Sequence, residues 1–279
     1  MDQMGERGVI ARAGVAPAAP GTAALAPTKP APAKPAPAKP VPTRVRRETP
    51  IHLPTWSRLN VAAKQSAPAG NGGDFFEVIQ QRDGRVAVVV ADVCGNGPSA
   101  AAPVSGLRWI LRQEIARGAS PGTVLSALND WMFQQADDRF VTAVCVRVDA
   151  VSGLAEIASA GHLGPFVKRA DGSAADLPRA AGLALGILSA QLYPETTVEL
   201  EPEDAMVLVT DGITDRLATA ADQLGQRALI DQLVRARLGS DSICRALLGP
   251  DARATEDATV LVVQMPRRHR RATPIARAG

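Results

Sequence analysis

The chain has 279 residues, 46% of them hydrophobic, 21% charged and 3% aromatic, enough apolar material for the core of one or two domains and too much for a wholly disordered or collagen-like protein. The longest apolar run, Val86 to Ala91, falls far short of the roughly 18 residues of a membrane span, and the N-terminus has no apolar h-region, so a cytoplasmic protein without a membrane span is expected. The net charge of +3 hides an asymmetry: residues 1–50 carry 8 Lys/Arg against 3 Asp/Glu and residues 266–279 carry 5 against none, leaving 18 basic and 25 acidic residues between them, a balance that suits cation binding.

Residues 1–50 are rich in Pro and Ala, and Lys29 to Pro42 reads as a near-repeat whose prolines fix φ and remove hydrogen-bond donors. A solvated, disordered basic segment is expected there, and a second basic disordered tail over 266–279. Neither contains an aromatic residue on which a base would stack, so no nucleic-acid partner is assigned. Residues 51–265 are expected to form the folded domain.

Within that domain, Phe75–Gln81 and Arg85–Asp92 are apolar runs on either side of Arg82-Asp83-Gly84 and predict a β-hairpin. Leu107, Ile110, Leu111 and Ile115 have helical spacing from Val104 onward, closed by Gly118; a second helix starts at Pro121 with Val124, Leu125, Leu128, Trp131 and Met132 on one face. The Trp and Met residues of these helices are expected in the core. Strands follow at 140–148, 154–160 and 166–169, then at 196–200 and 205–210 around a polar turn. Helices are expected at 222–238 and 240–248, and a last strand at 258–264. Strands joined by hairpins with helices in consecutive pairs predict an α+β sandwich over an alternating parallel fold. The three cysteines, Cys94, Cys145 and Cys244, are far apart and outside any Cys-x-x-Cys spacing, which fits buried apolar residues.

Acidic residues beside glycine at strand ends stand out. Gly72-Gly73-Asp74 opens one strand, Asp92-Val93-Cys94-Gly95-Asn96-Gly97 ends the next, Thr210-Asp211-Gly212 ends another, and Glu256-Asp257-Ala258-Thr259 starts the last. A carboxylate at a buried strand end is costly unless a cation faces it, and glycine beside it lets a ligand approach the backbone. Oxygen donors without a His/Cys set favour Mg²⁺ or Mn²⁺ over Zn²⁺ or copper.

In order and flanks, Gly-Gly-Asp-Phe-Phe at 72–76, Asp-Val-x-Gly-x-Gly at 92–97, Ala-Gly-His at 160–162, Thr-Asp-Gly at 210–212 and Glu-Asp-Ala-Thr at 256–259 make the chain resemble the metal-dependent PPM (type 2C) Ser/Thr protein phosphatases, in their bacterial SpoIIE-like branch. The resemblance covers about residues 53–264. It implies a four-layer αββα sandwich of two mainly antiparallel sheets flanked by helix pairs, with two Mn²⁺ or Mg²⁺ ions at one edge. Asp92 would bridge both ions, the Val93 carbonyl would be a further ligand, Asp74 would hold metal-bound waters or stand behind the ligands, and Asp211 would bind the second ion. The last ligand is Glu256 or Asp257, and the sequence leaves both open.

The implied reaction is hydrolysis of phosphoserine or phosphothreonine by a water bridging the two ions, with no protein nucleophile. By the same resemblance the partner is a phosphorylated regulatory protein, an anti-sigma-factor antagonist. Asn96 stands where many relatives have His, and an amide is not a general acid. That departure, with Glu256, motivates an alternative: a catalytically weak or silent regulatory binding domain of the same fold. Arg58 and Lys64 are candidates by position for a phosphate clamp, and His162 reads as a hydrogen-bonded structural residue.

Overall fold

A strand such as Val86–Val93, apolar everywhere but Asp92, is buried on both faces, and that double burial dictates a layer on each side of it. The computed structural model describes residues 58–66, 72–95, 102–135, 138–180, 182–218, 225–249 and 257–267. In chain order the described elements are β1 (Asn60–Ser66), β2 (Phe75–Gln80), β3 (Val86–Val93), α1 (Val104–Ala116), α2 (Pro121–Gln134), β4 (Val141–Val148), β5 (Leu154–Ala160), β6 (Phe166–Lys168), β7 (Ala174–Asp176), β8 (Thr196–Glu199), β9 (Ala205–Val209), α3 (Asp211–Thr214), α4 (Gln226–Arg235), α5 (Ser240–Leu248) and β10 (Ala258–Gln264).

The strands form two five-stranded sheets, β1-β10-β9-β6-β7 and β2-β3-β4-β5-β8, paired antiparallel throughout. Alternation along each strand divides the core in three. Val86, Val88 and Val90 of β3 meet Leu208, Leu261 and Val263 of the other sheet between the layers. Ala87, Val89 and Ala91 turn outward onto Leu107, Leu111, Leu125 and Leu128 of α1 and α2. On the opposite outer face, Val207, Val260 and Val262 pack on Leu229, Leu233, Ile243 and Cys244 of α4 and α5. The result is the expected αββα sandwich.

The helix pair α1/α2 is drawn together at Gly106, where a Cβ would lie 2.3 Å from the Trp131 ring. Helix α1 is tied to β2 by Glu77, which is held by both Arg108 and Arg112. Trp109 departs from the expectation of core packing: it is 66% exposed, on the face of α1 opposite Leu107 and Leu111, whereas Met132 is buried.

Three short or polar elements were not predicted. β1 reads NVAAKQS, too polar for a strand signal, yet it pairs along its whole length with β10. β7 is three residues long, and α3 is a single turn that begins at Asp211. The helix expected over 222–238 is described from Gln226 to Arg235. Among the described residues no helix is long and apolar enough to cross a membrane. The expected basic segments fall almost wholly outside the described residues.

Leu261 is 0% exposed between the sheets, so Leu261→Ala is expected to lower unfolding stability by about 2–5 kcal/mol, read from urea denaturation.

Candidate metal centre

Two antiparallel pairs, β2/β3 in one sheet and β10/β9 in the other, bring their acidic strand ends to the same end of the sandwich. Asp74 precedes β2, Asp92 is the penultimate residue of β3, Asp211 follows β9 and Asp257 precedes β10. The sheets are stitched here. Thr210 and Thr259 both donate their hydroxyls to Asp74 Oδ2, at 2.7 and 2.8 Å, and the Thr259 N–H donates to Thr210 Oγ1 at 2.9 Å. The Gly73 N–H donates to Asp257 Oδ2 at 2.9 Å, and the Val93 N–H to the Gly73 carbonyl at 3.3 Å.

The glycines have a role other than ligand access. A Cβ on Gly73 would stand 2.5 Å from the Val93 carbonyl oxygen and 3.2 Å from Asp92 Oδ1, and one on Gly212 would stand 1.8 Å from the Asp257 carbonyl oxygen. These residues are glycine because the protein's own strand ends close on one another there.

The electrostatics follow from crowding acids in a partly dry space. Burial, with Asp92 and Asp257 adding repulsion, pushes Asp74 up to about 8 against the pull of its two threonine hydrogen bonds. Burial and then the charges of Asp211 and Asp257 push Asp92 up to about 6. Asp211 is raised by burial and Asp215, and Asp257 by burial and, more weakly, Asp211.

Of the expected ligands, Asp74, Asp92, the Val93 carbonyl, Asp211 and Asp257 are brought to this one place. Glu256 and Asn96 lie outside the described residues. Among the described residues no three carboxylates, imidazoles or thiols are drawn into a closed coordination set. The donor set nevertheless fits a hard divalent cation: every donor is oxygen, and Asp257 Oδ1 is buried without a hydrogen-bond partner.

The positional candidates for a phosphate clamp are elsewhere. Lys64 is buried, with Nζ 3.9 Å from Asp241 Oδ1 on α5. Arg58 precedes the end of β1 that pairs with Gln264, whereas the other end, Ser66, pairs with Ala258 beside Asp257. His162 is buried and joins the sheets, donating from Nε2 to the Val209 carbonyl at 3.1 Å and accepting at Nδ1 from Thr142 Oγ1 at 2.9 Å. Burial pushes its pKa down to about 4, so the ring is neutral near pH 7. Thr210 and Thr259 stood inside recognised motifs without an assigned role, because a threonine in a strand ordinarily signals only β propensity.

The family model of stage II sporulation protein E (SpoIIE) matches residues 82–266. The chain belongs to the SpoIIE family. Among curated relatives, it is 29% identical to phosphoserine phosphatase RsbU of Bacillus subtilis (strain 168) over 175 residues, 62% of this chain and 49% of that protein. It is 22% identical to phosphoserine phosphatase RsbP of the same organism, over 58% of this chain and 41% of that one. The chain thus spans about half or less of the length of these relatives. Among solved structures, the RsbU and RsbW domains of Rv1364c from Mycobacterium tuberculosis are similar at 27% identity and a TM-score of 0.62, over 75% of this chain and 60% of that one. The PP2C phosphatase domain of SpoIIE from Bacillus subtilis shares the fold, with 18% identity and a TM-score of 0.64 over 75% of this chain and 63% of that one.

For this SpoIIE-family domain three outcomes are expected. A carboxyl whose pKa is higher folded than unfolded binds more protons in the folded state between the two values, so without divalent cation stability falls as pH rises from about 4 to about 8. Added Mn²⁺ must displace those protons, so its affinity, and the stabilisation it gives in thermal unfolding, rises over the same range. Gly212→Ala, by forcing Asp257 away from Asp211, is expected to weaken Mn²⁺ binding at least ~10-fold in calorimetry.

Proposed function

We propose that the chain is a metal-dependent Ser/Thr protein phosphatase that hydrolyses phosphoserine or phosphothreonine on a regulatory protein, an anti-sigma-factor antagonist, with two Mn²⁺ or Mg²⁺ ions at this end of the sandwich. The observation that carries the reading is the meeting of four acids from two sheets, with Asp74 and Asp92 both raised by burial and by one another's neighbours. The printed names of the relatives, phosphoserine phosphatases RsbU and RsbP, support the choice of substrate bond.

Asp92 and Asp211 are the primary ligands in this reading, the Val93 carbonyl a further one, and Glu256 or Asp257 the last. In this reading Asp74, whose Oδ2 is held by Thr210 and Thr259, would hold metal-bound waters or stand behind the ligands. When bound, divalent cations lower the pKa of a coordinated water and neutralise phosphoryl charge, both of which the slow hydrolysis of a phosphate monoester requires. The chain's own contribution is preorganisation: strand ends locked by the Gly73 and Thr210 hydrogen bonds hold the oxygens in place before substrate arrives.

The test is Mn²⁺-dependent hydrolysis of p-nitrophenyl phosphate and of a phosphorylated antagonist protein. Asp92→Asn and Asp211→Asn are each expected to reduce kcat/KM by at least ~100-fold; wild-type rates in both variants overturn the assignment. Binding of the phosphoprotein without cation-dependent turnover would favour the silent regulatory domain instead.

A further inference from the structure

The end of β9 carries two consecutive tethers to the opposite sheet. Thr210 Oγ1 donates to Asp74 Oδ2, and one residue earlier the Val209 carbonyl accepts from His162 Nε2 at 3.1 Å. The second tether answers a gap in the strand ladder: β6, the neighbour of β9, starts at Phe166 opposite Val207. The Val209 carbonyl therefore lies past the last strand donor on that side, and the imidazole stands in for one.

His162 is itself anchored in the sheet of Asp92. It follows the end of β5 by two residues, its carbonyl accepts from Ser159 Oγ at 3.1 Å, Gly161 bridges to Ala143, and Nδ1 accepts from Thr142 Oγ1 at 2.9 Å. Thr142 is the cross-strand partner of Asp92, and Val209 is two residues from Asp211. One buried side chain thus ties the strand partner of one acid to the strand that presents the other. An ion that takes oxygens from both strands is sensitive to their relative placement, which groups behind the ligands set.

We propose that His162 is a positioning residue of the metal centre: by bonding Thr142 and Val209 at once, it holds Asp92 and Asp211 where both can bind divalent cation. This inference rests on the metal-centre part of the phosphatase reading, and its test reads cation binding apart from turnover. The full chain is compared with His162→Leu, His162→Gln and Thr142→Val. Gln keeps an amide donor for the Val209 carbonyl, and Val removes only the hydroxyl from which Nδ1 accepts. The measurements are calorimetric Mn²⁺ binding below each protein's unfolding transition, thermal unfolding in EDTA, and p-nitrophenyl phosphate kinetics across a Mn²⁺ titration.

His162→Leu is expected to weaken Mn²⁺ binding at least ~10-fold, with His162→Gln and Thr142→Val between it and wild type, and to lower kcat with KM nearly unchanged. A role confined to packing lowers the unfolding temperature in EDTA and leaves Mn²⁺ affinity at the wild-type value; that result overturns the proposal. Should His162→Leu not fold, wild-type Mn²⁺ affinity in Thr142→Val overturns it and a loss upholds it. If the wild-type chain binds Mn²⁺ without turnover, the phosphatase reading fails, while a loss of affinity in the variants still upholds the role of His162; if it binds no Mn²⁺, both fail.

Discussion

Asp74 is the point on which the site end of the sandwich depends. It sits at the start of a strand in one sheet, and its carboxylate is held by two threonines of the other. An acid so buried among acids is unfavourable by itself, and the structure tolerates it by supplying two hydroxyl donors. Those same contacts fix the distance between the sheets where the acidic ends meet. Stability and chemistry are in opposition here: the neutral, protonated arrangement suits the fold, and the ionised one suits a cation.

The architecture explains why acids so distant in sequence come together. Antiparallel pairing puts the start of one strand beside the end of its neighbour, so β2 with β3 delivers Asp74 and Asp92, and β10 with β9 delivers Asp257 and Asp211. The two pairs lie in different sheets, and face-to-face packing of Val88 and Val90 on Leu208 and Leu261 superposes them. The helix layers complete the burial: the outward valines and alanines of the central strands are covered by α1 and α2 on one side and α4 and α5 on the other.

Much of this was legible in the residues. Long strands buried on both faces, such as β3 and β10, carry continuous apolar runs, and α1 and α2 carry a clean helical period, so their limits fell within a residue or two of expectation. β1 was not legible because Lys64 and Gln65 interrupt it and its stability comes from pairing with β10, a contact almost two hundred residues away. The acidic ligand candidates could be read because glycines flank them, though the reason differed: Gly73 and Gly212 make room for backbone and not for a ligand. The threonines could not be read, since nothing local distinguishes a hydroxyl that reaches across a sandwich from one that faces water.

His162 has a further consequence. The imidazole spans from Thr142, the residue paired with Asp92, to Val209, two residues before Asp211. A rigid ring bonded at both nitrogens acts as a spacer of fixed length between the strands that bear these two acids. The separation of Asp92 and Asp211 is thus set in part by a side chain that lies outside the acidic cluster.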